Sequence, residues 1–260
     1  AVGISLGHRN NSVKVAVSGI RQHQSSTPVQ LTDKWHIGSI TKSITATIIG
    51  KLVEDGALEF DATLSDLLPN LSMHAQWAEC SLEHLLTHTS GLPANFPWET
   101  QKIDPPDSND LVFARRKLIE QTLSTPPKTA CGSKFLYSNV GYAVIGHIIE
   151  AQADSVYEKL VKGMFFEPCG FESAGFGPPM GSKTDDQPMG HHSMLWYRKA
   201  VNPFEGRADN GPAISAAGRV HMNLQDLNAY GRMHLDGELG TGNFLKSEIW
   251  QRLHKPVTND

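Results

Sequence analysis

No stretch of this 260-residue chain reaches the ~18 uninterrupted apolar residues of a membrane-spanning helix. Nor does any run of lysine or arginine supply the electrostatic footprint that duplex nucleic acid or an anionic membrane surface needs. The expected partner is a small-molecule or peptide substrate, with no nucleic acid and no membrane span, and the oligomeric state stays open. Cysteine is scarce: Cys80, Cys131 and Cys169 are odd in number and widely scattered. They make neither a disulfide framework nor a C-x-x-C knuckle, and are expected as small buried hydrophobes. Ala1 does not open a basic-then-apolar signal segment. A periplasmic or secreted location is expected if such a segment was removed, a cytoplasmic one if it never existed. What remains is globular: 39% hydrophobic and 19% charged residues, with 27 acids against 23 bases, exclude disorder as the main state.

Alternation predicts strands over Val2–Gly7 and Val13–Val17, joined at Arg9-Asn10-Asn11-Ser12 as a hairpin. From Ser39 to Glu54 the pattern is a helix, with Ile40, Ile44, Ile48, Ile49, Leu52 and Val53 leaving little polar surface and Gly56 just past its end. Such a helix belongs in the middle of the molecule. Short helices are expected around Leu64–Leu68 and Leu82–His88, in a stretch (58–130) whose prolines argue against a sheet. A second apolar helix runs from about Val140 to Ala151, and Asp154 is a fair N-cap for a third through Lys162. Phe171–Pro188 reads as loop, with order returning near Ala213. Asn223 and Asp226 resemble a capping box for Leu224–Leu235, and Ser247 starts a last helix before Pro256. The layout is α+β: an antiparallel sheet flanked by helices (1–59 and 181–260) with a mostly helical second region (60–180). Two clear strands do not make a stable sheet. Either strands hide in 185–220, or the chain stops before the rest of its sheet.

The chemistry concentrates in two motifs. Ser39-Ile40-Thr41-Lys42 puts a hydroxyl and an ammonium on one face at the start of the buried helix, so the amine can reach the hydroxyl. A buried lysine loses charge stabilisation, and its lowered pKa lets it accept the serine's proton or hold a neighbouring phenol as phenolate. The helix N-terminus also places free N–H groups where negative charge on an attacked carbonyl would develop. Chance alone supplies about one such spacing in a chain of this composition, and context distinguishes this one: Trp35-His36-Ile37-Gly38 before it and the apolar helix behind it leave Lys42 little water. Tyr137-Ser138-Asn139, just ahead of the second apolar helix, adds a phenol that can shuttle protons and an amide that both donates and accepts. A free tyrosine is a poor base at neutral pH and needs a cation such as Lys42 beside it.

Together these residues make the chain resemble the serine β-lactamase and penicillin-binding-protein superfamily, close to its class C-like branch of β-lactamases, DD-peptidases and esterases. Trp35–Leu58, Leu82–Pro93, Phe135–Gly146 and Phe165–Phe176 match the style of that branch, and Ala213–Gly237 does so more loosely. The resemblance implies a β-lactamase/transpeptidase-like fold, no cofactor, and acyl transfer through an acyl-enzyme. Carried over, Ser39 is the nucleophile and supplies one oxyanion N–H, Lys42 activates it, Tyr137 shuttles the proton, and Asn139 binds substrate and Lys42. Whether Lys42 or Tyr137 is the formal base stays open. The expected substrates are β-lactams or related amides and esters. An esterase, a D-amino-acid peptidase, or a non-catalytic binder of cell-wall peptides or β-lactams are the alternatives. The family's third motif, Lys or His, a small residue, then Gly, has only a lookalike in Lys183-Thr184-Asp185, where Asp replaces Gly. The expectation is that the C-terminal strands carrying it are missing from this sequence.

Other features point to packing and turns. His84 and His88 have a zinc-compatible spacing but lack the H-E-x-x-H glutamate and a third ligand, so no metal is expected. His191-His192 reads as exposed loop, Asp104 to Asp110 as a solvated loop, and Gly237–Gly242 as a turn rather than a phosphate loop.

Overall fold

The computed structural model describes residues 1–7, 13–97, 108–153, 155–181, 186–194, 196–204 and 208–257, the side chains of 108–110 excepted. Two long apolar helices, α1 (Thr41–Glu54) and α5 (Asn139–Ala153), sit at its centre. Their side chains explain the position: Ile44, Ile48 and Ile49 of α1 and Val140, Val144, Ile145, Ile148 and Ile149 of α5 are at most 1% exposed. Each such side chain contributes roughly 1.5–3 kcal/mol on burial. Around them pack α2 (Leu64–Leu67), α3 (Leu82–Leu86), α4 (Ser108–Leu123), α6 (Tyr157–Val161), α7 (Ser215–Gly218), α8 (Leu224–Glu238) and α9 (Ser247–His254).

The strands form three separate antiparallel sets among the described residues. β1 (Val2–Gly7) pairs with β2 (Val13–Ser18), Val2 opposite Ser18. The face of β1 carrying Gly3 and Gly7 lies against Leu224 and Asn228 of α8, whereas Val2, Ile4 and Leu6 are more than half exposed. β3 (Lys34–His36), β7 (Val220–Asn223) and β4 (Gly175–Phe176) make a small sheet in the order β3–β7–β4, with Trp35 opposite Met222. β5 (His191–Met194) and β6 (Tyr197–Ala200) make an exposed hairpin. The architecture is α+β, and strands do lie within 185–220, including a hairpin where the sequence reads as loop; His191 and His192 stand on β5. No strand falls within 58–130 among the described residues, as the prolines required.

Four expectations need correction. Cys80 and Cys131 are not small buried hydrophobes but a disulfide, Cα to Cα 5.6 Å, across 51 residues; only Cys169 is free. Closing a loop of that length is worth about 4 kcal/mol in the chain-entropy account. A 16-residue helix, α4, occupies a stretch expected to hold only short helices and, in part, the acidic loop. Its inward stripe contains Arg115, 1% exposed, which breaks the apolar period. The guanidinium is satisfied by Glu150 of α5, by Glu158 of α6 at 3.1 Å and by the Pro212 carbonyl at 3.0 Å. Helix α6 is capped from Val156 rather than Asp154, and the Asn223 cap accepts from Asp226 N–H while the Asp226 carboxylate instead receives Ser173. The Asn-rich turn, Asp104 to Asp107, Asp154 itself and Lys183-Thr184-Asp185 lie outside the described residues.

Candidate active site

Lys42 is the second residue of the largely buried helix α1 and is only 6% exposed. Its ammonium donates to three oxygens: Asn139 Oδ1 at 2.7 Å, the Ala217 carbonyl at 2.7 Å and Ser39 Oγ at 3.2 Å. Burial lowers its pKa, while the neighbouring Tyr137 partly raises it again. The carbonyl of Ala217 comes from α7, which runs along α1. Thr45 donates to the Ala216 carbonyl at 2.7 Å, and Val220 N–H donates to Thr41 Oγ1 at 3.1 Å. α7 thus presents a peptide oxygen to the buried amine, a partner that no side-chain motif announces.

Ser39 lies in a 3₁₀ turn, Gly38–Ile40, that leads into α1. Gly38 has φ +53°, a left-handed conformation that favours glycine. The Ser39 side chain is exposed, and its N–H, in the first turn, has no intrahelical acceptor. That N–H is available to one side of an incoming carbonyl oxygen. Ser39 Oγ lies 2.7 Å from Tyr137 Oη, and Lys42 Nζ lies 4.8 Å from the centre of the Tyr137 ring. Partial burial would raise the Tyr137 pKa, but its interactions with Lys42 and Ser39 outweigh that and bring it below the ordinary phenol value.

The Tyr137 loop is braced from 80–95. Leu136 N–H donates to the His88 carbonyl at 2.7 Å, Ser138 N–H to His88 Nδ1 at 3.1 Å, and Asn139 N–H to the Ala94 carbonyl at 2.8 Å. Ser138, 1% exposed, donates to the Pro93 carbonyl at 2.6 Å and accepts from Gly141 N–H at 2.9 Å, capping α5. Gly91 has φ +80°, and a Cβ there would meet the Thr129 carbonyl oxygen at 2.2 Å, so Thr-Ser-Gly-Leu-Pro needs its glycine for two reasons. The Cys80–Cys131 disulfide clamps the same two segments further from the phenol. Asn139 Nδ2 donates to Asn95 Oδ1 at 2.7 Å, which leaves Oδ1 of Asn139 facing Lys42.

The four residues named from sequence therefore meet in one place. Those missed are the Ala217 carbonyl, Asn95 and His88. His88 stands in the quoted Leu-Thr-His-Thr-Ser-Gly-Leu-Pro segment, yet nothing in its spacing announced an acceptor for Ser138 N–H. His84 and His88 do not share a site. Among the described residues, Cys80, His84 and Cys131 bring potential ligand atoms within 4.8 Å of one another, but the two sulfurs are bonded to each other.

The arrangement can deprotonate an alcohol beside an exposed surface and donate a proton back through the phenol, which is what two-step acyl transfer requires. Comparison with known proteins agrees at the level of family and fold. The chain is 25% identical over 233 residues to penicillin-binding protein 4 of Amycolatopsis lactamdurans, covering 84% of this chain and 55% of that protein. It superposes on the D-amino acid amidase of Ochrobactrum anthropi SV3 with a TM-score of 0.75 at 20% identity, covering 96% of this chain and 67% of the amidase. It superposes equally, TM-score 0.75 at 20% identity, on a penicillin-binding protein of Bacillus halodurans, covering 99% and 76%. The chain spans about half the length of the curated relatives it matches. Since the Beta-lactamase family model matches residues 2–259, nearly end to end, the chain belongs to the beta-lactamase family, whose fold serves penicillin-binding proteins, amidases and other serine hydrolases.

Proposed function

We propose that this chain carries the acyl-transfer site of a serine hydrolase that opens β-lactams or related amide and ester carbonyls through an acyl-enzyme on Ser39. The observation that supports this most strongly is the shared hydrogen bonding of one hydroxyl: Ser39 Oγ has at 2.7 Å a phenol that can take its proton, and accepts at 3.2 Å from a desolvated ammonium that favours the resulting alkoxide. In this reading the Lys42–Tyr137 pair takes the Ser39 proton as Oγ attacks the carbonyl carbon. The Ser39 N–H stabilises the developing oxyanion, and the phenol returns the proton to the departing nitrogen or oxygen. Water then attacks the ester, activated by the same phenol. Asn139 holds Lys42 through Oδ1 and binds the substrate's amide. Ser39 and Lys42 come from the α/β region (1–59 with 181–260), Tyr137 and Asn139 from the helical region (60–180), and the substrate lies between them.

The exposure of Ser39 and Tyr137 favours a second reading, an esterase or D-amino-acid amidase or peptidase using the same residues, because an open surface accepts unstrained acyl donors. Three chromogenic substrates separate the readings: a cephalosporin, a p-nitrophenyl ester and a D-amino acid p-nitroanilide. Turnover of the cephalosporin supports the first reading, and turnover confined to the ester or anilide replaces it with the second. Activity on any of them that survives Ser39→Ala ends both, and failure on all three leaves the non-catalytic binder.

A further inference from the structure

His88 sits two positions past α3, just after its C-cap Thr87, with φ +60°, a left-handed conformation that costs a non-glycine residue roughly 1–2 kcal/mol. The surroundings hold it there from every side. Its carbonyl accepts from Leu136 N–H and its Nδ1 from Ser138 N–H, so it is bonded to the residues on both sides of Tyr137. Its ring lies against the Tyr137 ring, centroids 4.4 Å apart and planes 35° from parallel. Tyr142 covers it at 5.3 Å, and Phe135 meets it edge-on at 5.8 Å.

We propose that His88 is the positioning residue of the site: its neutral ring is the platform that holds the Tyr137 phenol against Ser39 and Lys42. The proposal rests on the reading of Tyr137 as the proton shuttle. The choice of histidine follows from three demands that only this side chain meets together. The platform must be flat and apolar enough to stack, must offer a lone pair to the Ser138 N–H, and must not bring a second positive charge beside the Lys42 ammonium. Phenylalanine meets the first and third, asparagine the second and third. Accepting from Ser138 puts the ring's proton on Nε2, and burial together with the Lys42 charge holds the imidazole neutral down to about pH 4.

The experiment compares His88→Phe, His88→Asn and the unaltered chain. Asparagine tolerates the left-handed backbone and can accept from Ser138 N–H, so it isolates the ring; phenylalanine keeps the ring and isolates the lone pair. The first readout needs no substrate: the Tyr137 phenol is titrated by NMR with ¹³Cζ-tyrosine, its signal assigned by its loss in Tyr137→Phe. The groups facing that phenol are Ser39, Lys42, His88 and, behind His88, Tyr142. In both variants the phenol is expected to titrate nearer the ordinary value of ~10 than in the unaltered chain. The second readout is turnover of whichever chromogenic substrate is accepted, with kcat expected to fall about tenfold or more and KM to stay within about threefold. Unchanged titration in a folded variant, or a loss confined to KM, overturns the proposal. If neither variant folds, the ¹⁵N spectrum of His88 in the unaltered chain decides: a neutral Nε2–H tautomer through pH 5 supports the proposal, and titration near 6.5 overturns it. Absence of turnover would refute the proposed function while leaving the phenol titration readable.

Discussion

Replacing Lys42 by methionine separates catalysis from stability more sharply than any other change. Methionine nearly matches the aliphatic stem but removes the ammonium that donates to Ser39, Asn139 and Ala217. The carbonyl of Ala217, a residue with no exposed surface, loses this donor, at a cost of about 1–3 kcal/mol. Against this stands the desolvation penalty of the buried ammonium, several kcal/mol, which the variant no longer carries. The two nearly cancel, so unfolding free energy should change by no more than about 2 kcal/mol in either direction. Acylation should fall by roughly 10²–10⁴-fold, about 3–5 kcal/mol of barrier, because Ser39 loses its cation and Tyr137 the charge that depresses its pKa. Single-turnover acylation by an accepted ester and urea unfolding of the same preparation give the two numbers. Acylation within threefold of the unaltered chain at pH 7 would refute the assignment of Lys42. An unfolded variant would refute the claim that the amine serves chemistry rather than the fold.

Further outcomes follow from the rest of the molecule. Glu150→Ala removes the fully buried counter-ion of Arg115, leaving it Glu158 and the Pro212 carbonyl, and should cost at most about 3–5 kcal/mol, measured by urea unfolding, with the acylation rate per folded molecule unchanged. Cys80→Ser with Cys131→Ser should lower stability by about 4 kcal/mol, and thiol titration of the unfolded, unreduced chain should count Cys169 alone; three reactive thiols would exclude the disulfide. Acid should destabilise the protein in steps. His88 is held at about 4 by burial and the Lys42 charge, and His234 at about 4 by burial and His254. Between about pH 4 and 6.5 the unfolded chain therefore binds more protons, and stability rises with pH across that window. Glu150 acts lower: burial opposes its charge, but His147 and Arg115 outweigh burial and depress its pKa, so its contribution is lost only as pH falls through that depressed value. A flat urea midpoint from pH 4 to 6.5 would contradict the histidine part.

The elements legible in the sequence were those whose own side chains report burial. The unbroken apolar faces of α1 and α5 announced both position and type, and Asn223 and Ser247 marked the starts of α8 and α9 within a residue. That Ser39, Lys42, Tyr137 and Asn139 would meet was legible because the proposed chemistry needs those side chains at those spacings. What escaped was set by tertiary partners. Helix α4 hid because Arg115 interrupts its inward stripe and is satisfied by groups distant in sequence, Glu150, Glu158 and the Pro212 carbonyl. The disulfide hid because two cysteines 51 apart carry no pattern. The β5–β6 hairpin hid because its residues are exposed on both faces, so no alternation marks it. The Lys42 acceptor on Ala217 is a backbone oxygen, which any residue type would supply.

The most direct test of the account is to find where an acyl group lands. After brief incubation with a β-lactam or an activated ester and acid quenching, intact-mass measurement and peptide mapping should place a single acyl group on Ser39, and Tyr137→Phe should slow both its arrival and its release. An acyl group mapped to another residue, or one acquired by Ser39→Ala at the same rate, would contradict it.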